Sequence, residues 1–369
     1  MAHPSAKFID VLHARARKLE RGDSLTPPIV NAAKYALPGD PDHPFPYGRF
    51  DNPSWGAVEP AIGVLEEGET VCFPSGMAAV TGAIMACLKP KARVLLPSDG
   101  YYTVRLLLDN FLRQHDIDVT EIATTQMEAH DVSGYDLVWL ETPSNPGLDV
   151  CDIALMAERV HAAGGLLVVD NTSATPLLQP VLDLGADLAV SSDTKALSGH
   201  SDVLFGHVSG RDEALVAKVR EWRKLSGSTP GPAEAYLAYR GLMTLEVRLD
   251  RMCTNAEALA DLFVAHETVQ SVRFPGLAAD PSHQTAMKQM TRGGFVIGIT
   301  FADAAIAERF VDDCPAIFAA TSFGGIQTSG ERRARWGDDV AEGYVRLSVG
   351  CEPTQALIDT IRQTLDQLA

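Results

Sequence analysis

Three features of this chain could do chemistry: a lysine, an aspartate and a helix start. Lys195 stands in SSDTKALSGHSD (191–202), a single amine among small polar residues, with Ser192 and Thr194 just before it. Hydroxyls so placed can hydrogen-bond a phosphate and leave the amine free for a carbonyl. An amine in a partly buried, electropositive site loses its proton and becomes a nucleophile and base. The same stretch also reads as a plain turn, with serine and threonine as turn formers. Asp170 closes the apolar run LLVVD (166–170) and could be an N-cap, a metal ligand or the partner of a protonated ring nitrogen. No second carboxylate or histidine stands nearby at ligand spacing, which disfavours metal. FPSGMAAVTGAI (73–84) turns through Ser75 and Gly76 into an alanine-rich helix. Exposed N–H groups at such a start suit a phosphate, although small residues there also serve mere packing.

Together the three meet the needs of pyridoxal phosphate: a helix N-terminus for the phosphate, a carboxylate for the pyridine nitrogen and an amine for the aldehyde. They must then be held on one edge of one scaffold. Short apolar runs at 70–73, 93–97, 135–141, 166–170, 186–192 and 205–210 read as strands, with amphipathic helices such as 152–163 and 212–225 between them. That alternation predicts a mostly parallel sheet covered on both faces, with functional groups at the carboxyl ends of its strands. Ser75-Gly76, Glu141–Pro146, Asp170-Asn171 and Ser192–Lys195 all fall at such ends. Residues 1–45 read as a helix and an extended, proline-rich arm, 46–240 as the cofactor-binding domain, and 241–369 as a smaller α+β domain. A long helix (233–263) and the strands SVRF and GGFVIGITF are expected around and after the second boundary.

Composition removes several classes of function. The 369 residues include 48 Asp and Glu against 31 Lys and Arg, a formal charge of −17 that repels nucleic-acid backbones. Six scattered cysteines without a C-x-x-C pair argue against a disulfide framework or zinc ribbon, and reduced thiols suit a cytoplasmic protein. The N-terminus alternates apolar and charged residues at helical spacing, unlike a signal peptide. The uncharged run Thr70–Leu88 is interrupted by FPSG and reads as strand, turn and helix rather than a membrane span. His200 and His207 have no third ligand in the pattern and read as structural; Trp55 and Trp336 read either as lining the entrance or, more commonly for single aromatics, as packing.

The lysine segment SSDTKALSGHSDVLFGHVSG resembles that of the Cys/Met-metabolism family of pyridoxal-phosphate enzymes. So do YGRFDNPS (47–54), FPSGMAA (73–79), ETPSNP (141–146), VVDNTSATPLLQP (168–180), RGLMTLEVRL (240–249), SFGG (322–325) and RLSVGCE (346–352), in family order. The resemblance implies an aminotransferase-like α/β fold and a homo-oligomer, in that family a tetramer with active sites shared across a dimer interface. It implies that Lys195 carries the cofactor and moves protons, and that Asp170 pairs with the pyridine nitrogen. Gly76, Met77, Ser192 and Thr194 would hold the phosphate, completed by Tyr47 and Arg49 of a neighbouring subunit. Tyr101 would stack on the ring and act as acid and base. Asn145 would lie near the ring hydroxyl and the substrate, whose carboxylate Arg346 would fork beside Ser322.

Departures from the family bear on the reaction. The family's Tyr-Gly-Gly-Thr reads Tyr101-Tyr102-Thr103, which leaves Tyr102 open as the stacking residue. A cysteine typical of methionine γ-lyases is absent there. Thr321 stands where cystathionine γ-lyases and γ-synthases carry a glutamate, and ERRARWG (331–337) replaces the usual Pro-Ala-x-Met-x-His segment. That stretch reads either as a charged surface loop or as a reshaped distal pocket using Arg332, Arg333 or Arg335. The expectation is a C–S lyase, cystathionine γ-lyase first. A γ-replacing cystathionine γ-synthase, a methionine γ-lyase or a cystathionine β-lyase are alternatives, and a catalytically idle binding relative is a remote one.

Overall fold

In the computed structural model, which describes residues 4–368, the apolar runs pair into one sheet of seven strands. Helix α1 (Pro4–Ala14) is followed by an extended arm and α2 (Trp55–Glu66). Then come β1 (Glu69–Phe73), α3 (Gly76–Cys87), β2 (Arg93–Pro97), α4 (Tyr102–Leu107), β3 (Asp118–Ile122) and β4 (Leu137–Glu141). They continue as α5 (Ile153–Ala162), β5 (Leu166–Asp170), α6 (Thr175–Leu178), β6 (Leu188–Ser191), β7 (Gly206–Gly210) and α7 (Glu213–Ser226). The sheet order is β1-β7-β6-β5-β4-β2-β3, and β7 alone runs antiparallel to its neighbours. Apolar side chains cover both faces: α3 and α7 pack with Val71, Val168 and Val190, and α5 packs on the other side with Val138, Leu167 and Val169. Crossover helices on both faces are what let such continuous Val/Leu runs be strands.

β3 was not anticipated. Its sequence, DVTEI, carries charges because it is an edge strand with one open side, so it lacks the apolar run of the central strands. The long helix expected at 233–263 is two helices, α8 (Pro232–Leu242) and α9 (Leu245–Ala265). The break at Met243-Thr244 lets Arg248 reach back to the lysine loop, where it donates to the carbonyls of Ala196 (2.7 Å) and Leu197 (3.0 Å). Gly199, at φ +74°, passes so close to that guanidinium that any Cβ would collide with it. The boundary expected at 240/241 falls within α8.

The second sheet has five strands where sequence suggested two. Its order is β10 (Phe318–Ala319), β11 (Ser329–Arg332), β12 (Tyr344–Ser348), β9 (Val296–Thr300) and β8 (Ser271–Arg273). Helices α10 (His283–Gln289), α11 (Ala304–Asp313) and α12 (Thr354–Asp366) complete this part, where α9, α11 and α12 bury an apolar face against Ile297, Val345 and Leu347. Among the described residues, no helix is long and apolar enough to cross a membrane.

Candidate active site

The carboxyl ends of β1, β2, β4, β5 and β6 open onto a cavity of about 500 Å³. Gly76, Met77, Tyr101, Tyr102, Asn145, Asp170, Ser192, Thr194, Lys195, Thr321, Ser322 and Arg346 all line it. Tyr47 and Arg49 do not: Arg49 lies over the rings of Tyr47 and Phe50 and donates to the carbonyl of Lys224, at the end of α7.

Each wall has a local cause. Ser75 caps α3 by accepting the Ala78 N–H at 3.1 Å, and Gly76 and Met77 of the same first turn line the cavity. A Cβ on Gly76 would sit 2.5 Å from the Ser192 Cβ, so glycine is what lets the helix start and the lysine loop approach each other. Thr172 ties β5 to that loop: its hydroxyl accepts the Ser192 N–H (2.8 Å) and donates to Asp170 Oδ1 (2.5 Å). The Thr172 N–H also reaches Oδ1 (3.0 Å), which leaves Asp170 Oδ2 for an N–H donor. The Thr194 hydroxyl is held by the Phe205 backbone, accepting its N–H (3.0 Å).

Lys195 donates to the Ser322 hydroxyl at 2.9 Å and lies 5.3 Å from the Phe323 ring centre. Burial and the positive charge of Arg346 lower its pKa to about 8, against the opposing pull of Asp170 and Glu331. Ser322 sits at φ +83°, a conformation that favours glycine, so its placement is held by the surrounding loop. Arg346, on β12, is buried; burial and Arg333 lower its pKa to about 10. Its Nη1 donates to Asn145 Oδ1 (2.5 Å) and its Nη2 to the Ser322 carbonyl (3.2 Å) and Glu331 Oε1 (2.5 Å). Its Nε is buried without a partner.

Several contributors were not assigned a role from sequence. Glu141 ends β4 directly opposite Asp170 on β5 and accepts the Tyr101 N–H (2.5 Å). Burial and then the charge of Asp170 push the Glu141 carboxyl well up. Burial raises Asp170 as well, opposed by Thr172, Lys195 and His207. His207, expected to be structural, lies fully buried between Asp193 (2.8 Å) and Glu66 (3.0 Å). Burial disfavours its charge, but the two carboxylates outweigh that and raise it to about 10. No cluster of metal-ligating side chains occurs among the described residues.

The segment 331–337 is only partly solvated: Glu331 and Arg333 are buried, while Arg335 to Gly337 are exposed. Glu331 is 1% exposed, Arg333 and Trp336 line the cavity, and Thr321 donates to Glu331 (3.3 Å). Arg332 turns away to Glu308 and Glu342, and Arg335 is largely exposed.

Pyridoxal phosphate fits these residues. The bare Gly76 backbone and capped helix start suit its phosphate, a free Asp170 oxygen suits a ring N–H, and Lys195 and Arg346, whose Nε is unsatisfied, line the same cavity. The comparisons agree with that fit. A Streptomyces coelicolor protein that bears the name cystathionine gamma-lyase provisionally is 46% identical over 92% of this chain and 88% of its own. L-methionine gamma-lyase of Treponema denticola is 35% identical over 87% of this chain and 85% of its own. The crystal structure of cystathionine gamma synthase from Xanthomonas oryzae pv. oryzae, in complex with aminoacrylate and cysteine, superposes with a TM-score of 0.92 at 31% identity, covering 98% of both chains. The family model for Cys/Met metabolism PLP-dependent enzymes matches residues 10–366, and the chain belongs to that family.

Proposed function

We propose that the protein is a pyridoxal-phosphate-dependent C–S lyase that acts on cystathionine as a γ-lyase, releasing cysteine, 2-oxobutanoate and ammonia. The observation that carries the chemistry is the Lys195 amine, with its pKa lowered to about 8, in a cavity with Asp170 and Arg346. The choice of cystathionine rests on the 46% identical relative. When bound, the cofactor supplies an electron sink for the charge left on the substrate's Cα.

The chain's own groups would do the rest. Asp170 keeps a ring N–H charged through Oδ2. Arg346, steadied by Asn145, takes the substrate carboxylate and points the Cα–H at Lys195. Lys195 Nζ would take the Cα proton, pass it on, and only then take one from Cβ, and the Tyr101 hydroxyl or Lys195 would protonate the departing sulfur. Gly76, Met77, Ser192 and Thr194 hold the phosphate. Tyr47 and Arg49, outside the cavity of their own chain, complete that site in a neighbouring subunit of a homotetramer. The same reading divides the chain into an arm (1–45), a cofactor-binding part (46–240) and a smaller part (241–369).

A second reading has a specific observation in its favour. Glu331, the buried acid of the distal wall, is saturated by arginines, so no free carboxylate is offered there to a distal ammonium group. This suits γ-replacement on an O-acylhomoserine, with cysteine as the incoming thiol. A product assay separates the two: 2-oxobutanoate from cystathionine supports the lyase. Cystathionine made from O-acylhomoserine and cysteine, without 2-oxobutanoate, supports replacement. Pyruvate alone indicates β-elimination.

A further inference from the structure

Glu331 on β11 pairs across the strands with Arg346 on β12. In sequence it opens a charge run that reads as surface, yet it is 1% exposed. Its Oε1 accepts from Arg346 Nη2 (2.5 Å) and Arg333 Nη1 (2.7 Å), and its Oε2 from Trp336 Nε1 (2.9 Å). Arg333 is in turn held by Asp338 at 2.7 Å. Two buried guanidinium groups thus face two carboxylates, with the exposed Arg335 a third cation 3.5 Å from Glu331, so much of the charge of Arg346 is offset before any substrate arrives.

A substrate carboxylate is therefore a second anion for Arg346. A bidentate fork needs two N–H groups on one edge of the guanidinium. The Nη2 is already committed to Glu331 and the Ser322 carbonyl and Nη1 to Asn145, while Nε is buried and unpartnered. A forked carboxylate must therefore compete for a nitrogen that already has an acceptor, close to a fixed like charge in a low-dielectric wall.

We infer that Glu331 is a specificity-determining positioning residue, a resident carboxylate that shares Arg346 with the substrate and weakens the grip on its carboxylate. Through Trp336 and Arg333 the same residue fastens the wall that faces the substrate's far end. Discrimination between amino acids is thereby shifted from the carboxylate they all possess to the side chain that distinguishes them. This rests on the reading of Arg346 as the carboxylate site.

The test compares glycine with methylamine, which offers the same kind of amine but no carboxylate. Both are titrated into cofactor-loaded protein and followed by the cofactor's absorbance, so turnover is not required. The ratio of their dissociation constants isolates carboxylate recognition. In Glu331→Gln the preference for glycine should rise about tenfold, because a fixed negative charge beside Arg346 is gone. Glu331→Asp, which keeps the buried charge and draws it back by one methylene, should give a smaller rise and serves if the glutamine variant does not fold. A fall or no change in the preference, in whichever variant retains the cofactor, overturns the inference and makes Glu331 merely a support for Arg346. A wild-type protein that binds glycine no better than methylamine refutes the carboxylate site itself. Failure of the cystathionine assay alone leaves this ratio readable.

Discussion

The Lys195 amine and the Ser322 hydroxyl, 127 positions apart in the chain, meet at 2.9 Å, joining the lysine loop after β6 to the loop before β11. Replacing Ser322 with alanine keeps the backbone and removes the acceptor. The expected result is a fall in kcat/KM of about tenfold, the worth of one hydrogen bond to a charged donor, with the cofactor still bound. Steady-state kinetics on cystathionine, with absorbance as the loading control, check this.

Lys195 should react at lower pH than an ordinary lysine. Its pKa is lowered from 10.5 to about 8, so the neutral, nucleophilic form gains population as pH rises through about 8. The rate at which cofactor-free protein takes up pyridoxal phosphate should climb across pH 7–9 and level off above it. A rate still climbing at pH 10 contradicts the buried setting of the amine. Lys195→Ala should abolish turnover and hold the cofactor only non-covalently.

Asp170→Asn preserves shape and removes the charge. Activity should drop at least about a hundredfold if the carboxylate keeps a ring nitrogen protonated, because a buried charged partner contributes several kcal/mol. Cofactor affinity measured by fluorescence quenching should weaken less than activity does.

His207 is a stability element of the lysine loop. Replacing it with glutamine leaves Asp193 and Glu66 buried without their cation and should cost about 3–5 kcal/mol in chemical denaturation. Its folded pKa of about 10 lies above the ordinary 6.5, so its contribution is complete below pH 6.5 and disappears as pH rises through about 10. The gap between wild type and variant should narrow over that window.

Subunit mixing tests the role given to the arm. Lys195→Ala and Arg49→Ala are each expected to be inactive. If Arg49 serves a neighbour's cavity, hybrids contain one intact site, and random mixing should restore about a quarter of native activity. No recovery after verified subunit exchange would return Arg49 to its own chain.

The cofactor side of the site was legible because each group ends an apolar strand: Asp170 after LLVV, Lys195 just beyond LAVS, Ser75 after VCF. Strand ends announce themselves by the switch from apolar to polar, and a parallel sheet gathers them on one edge. Glu141 obeys the same rule. It was visible as a polar strand end, but only the pairing with Asp170 and the bond to Tyr101 give it a task. The distal wall was legible only as an alternative to a surface loop, for the opposite reason. Glu331 and Arg333 have surface composition, and their burial depends on partners such as Arg346 that only the fold supplies. Arg248 was hidden likewise, because the helix break that aims it at Ala196 carries no glycine or proline at Met243-Thr244.

Lys195 and Asp170 hang from the seven-stranded sheet, whereas Arg346 and Glu331 belong to the five-stranded one. In the proposed reading, reactivity and choice of substrate are thus carried by separate pieces of architecture that touch at Ser322 and Asn145. Such a division makes the enzyme evolvable. On that reading, the stretch from Glu331 to Gly337 can change and alter what is consumed, while Lys195, Asp170 and Ser322 stay where they are.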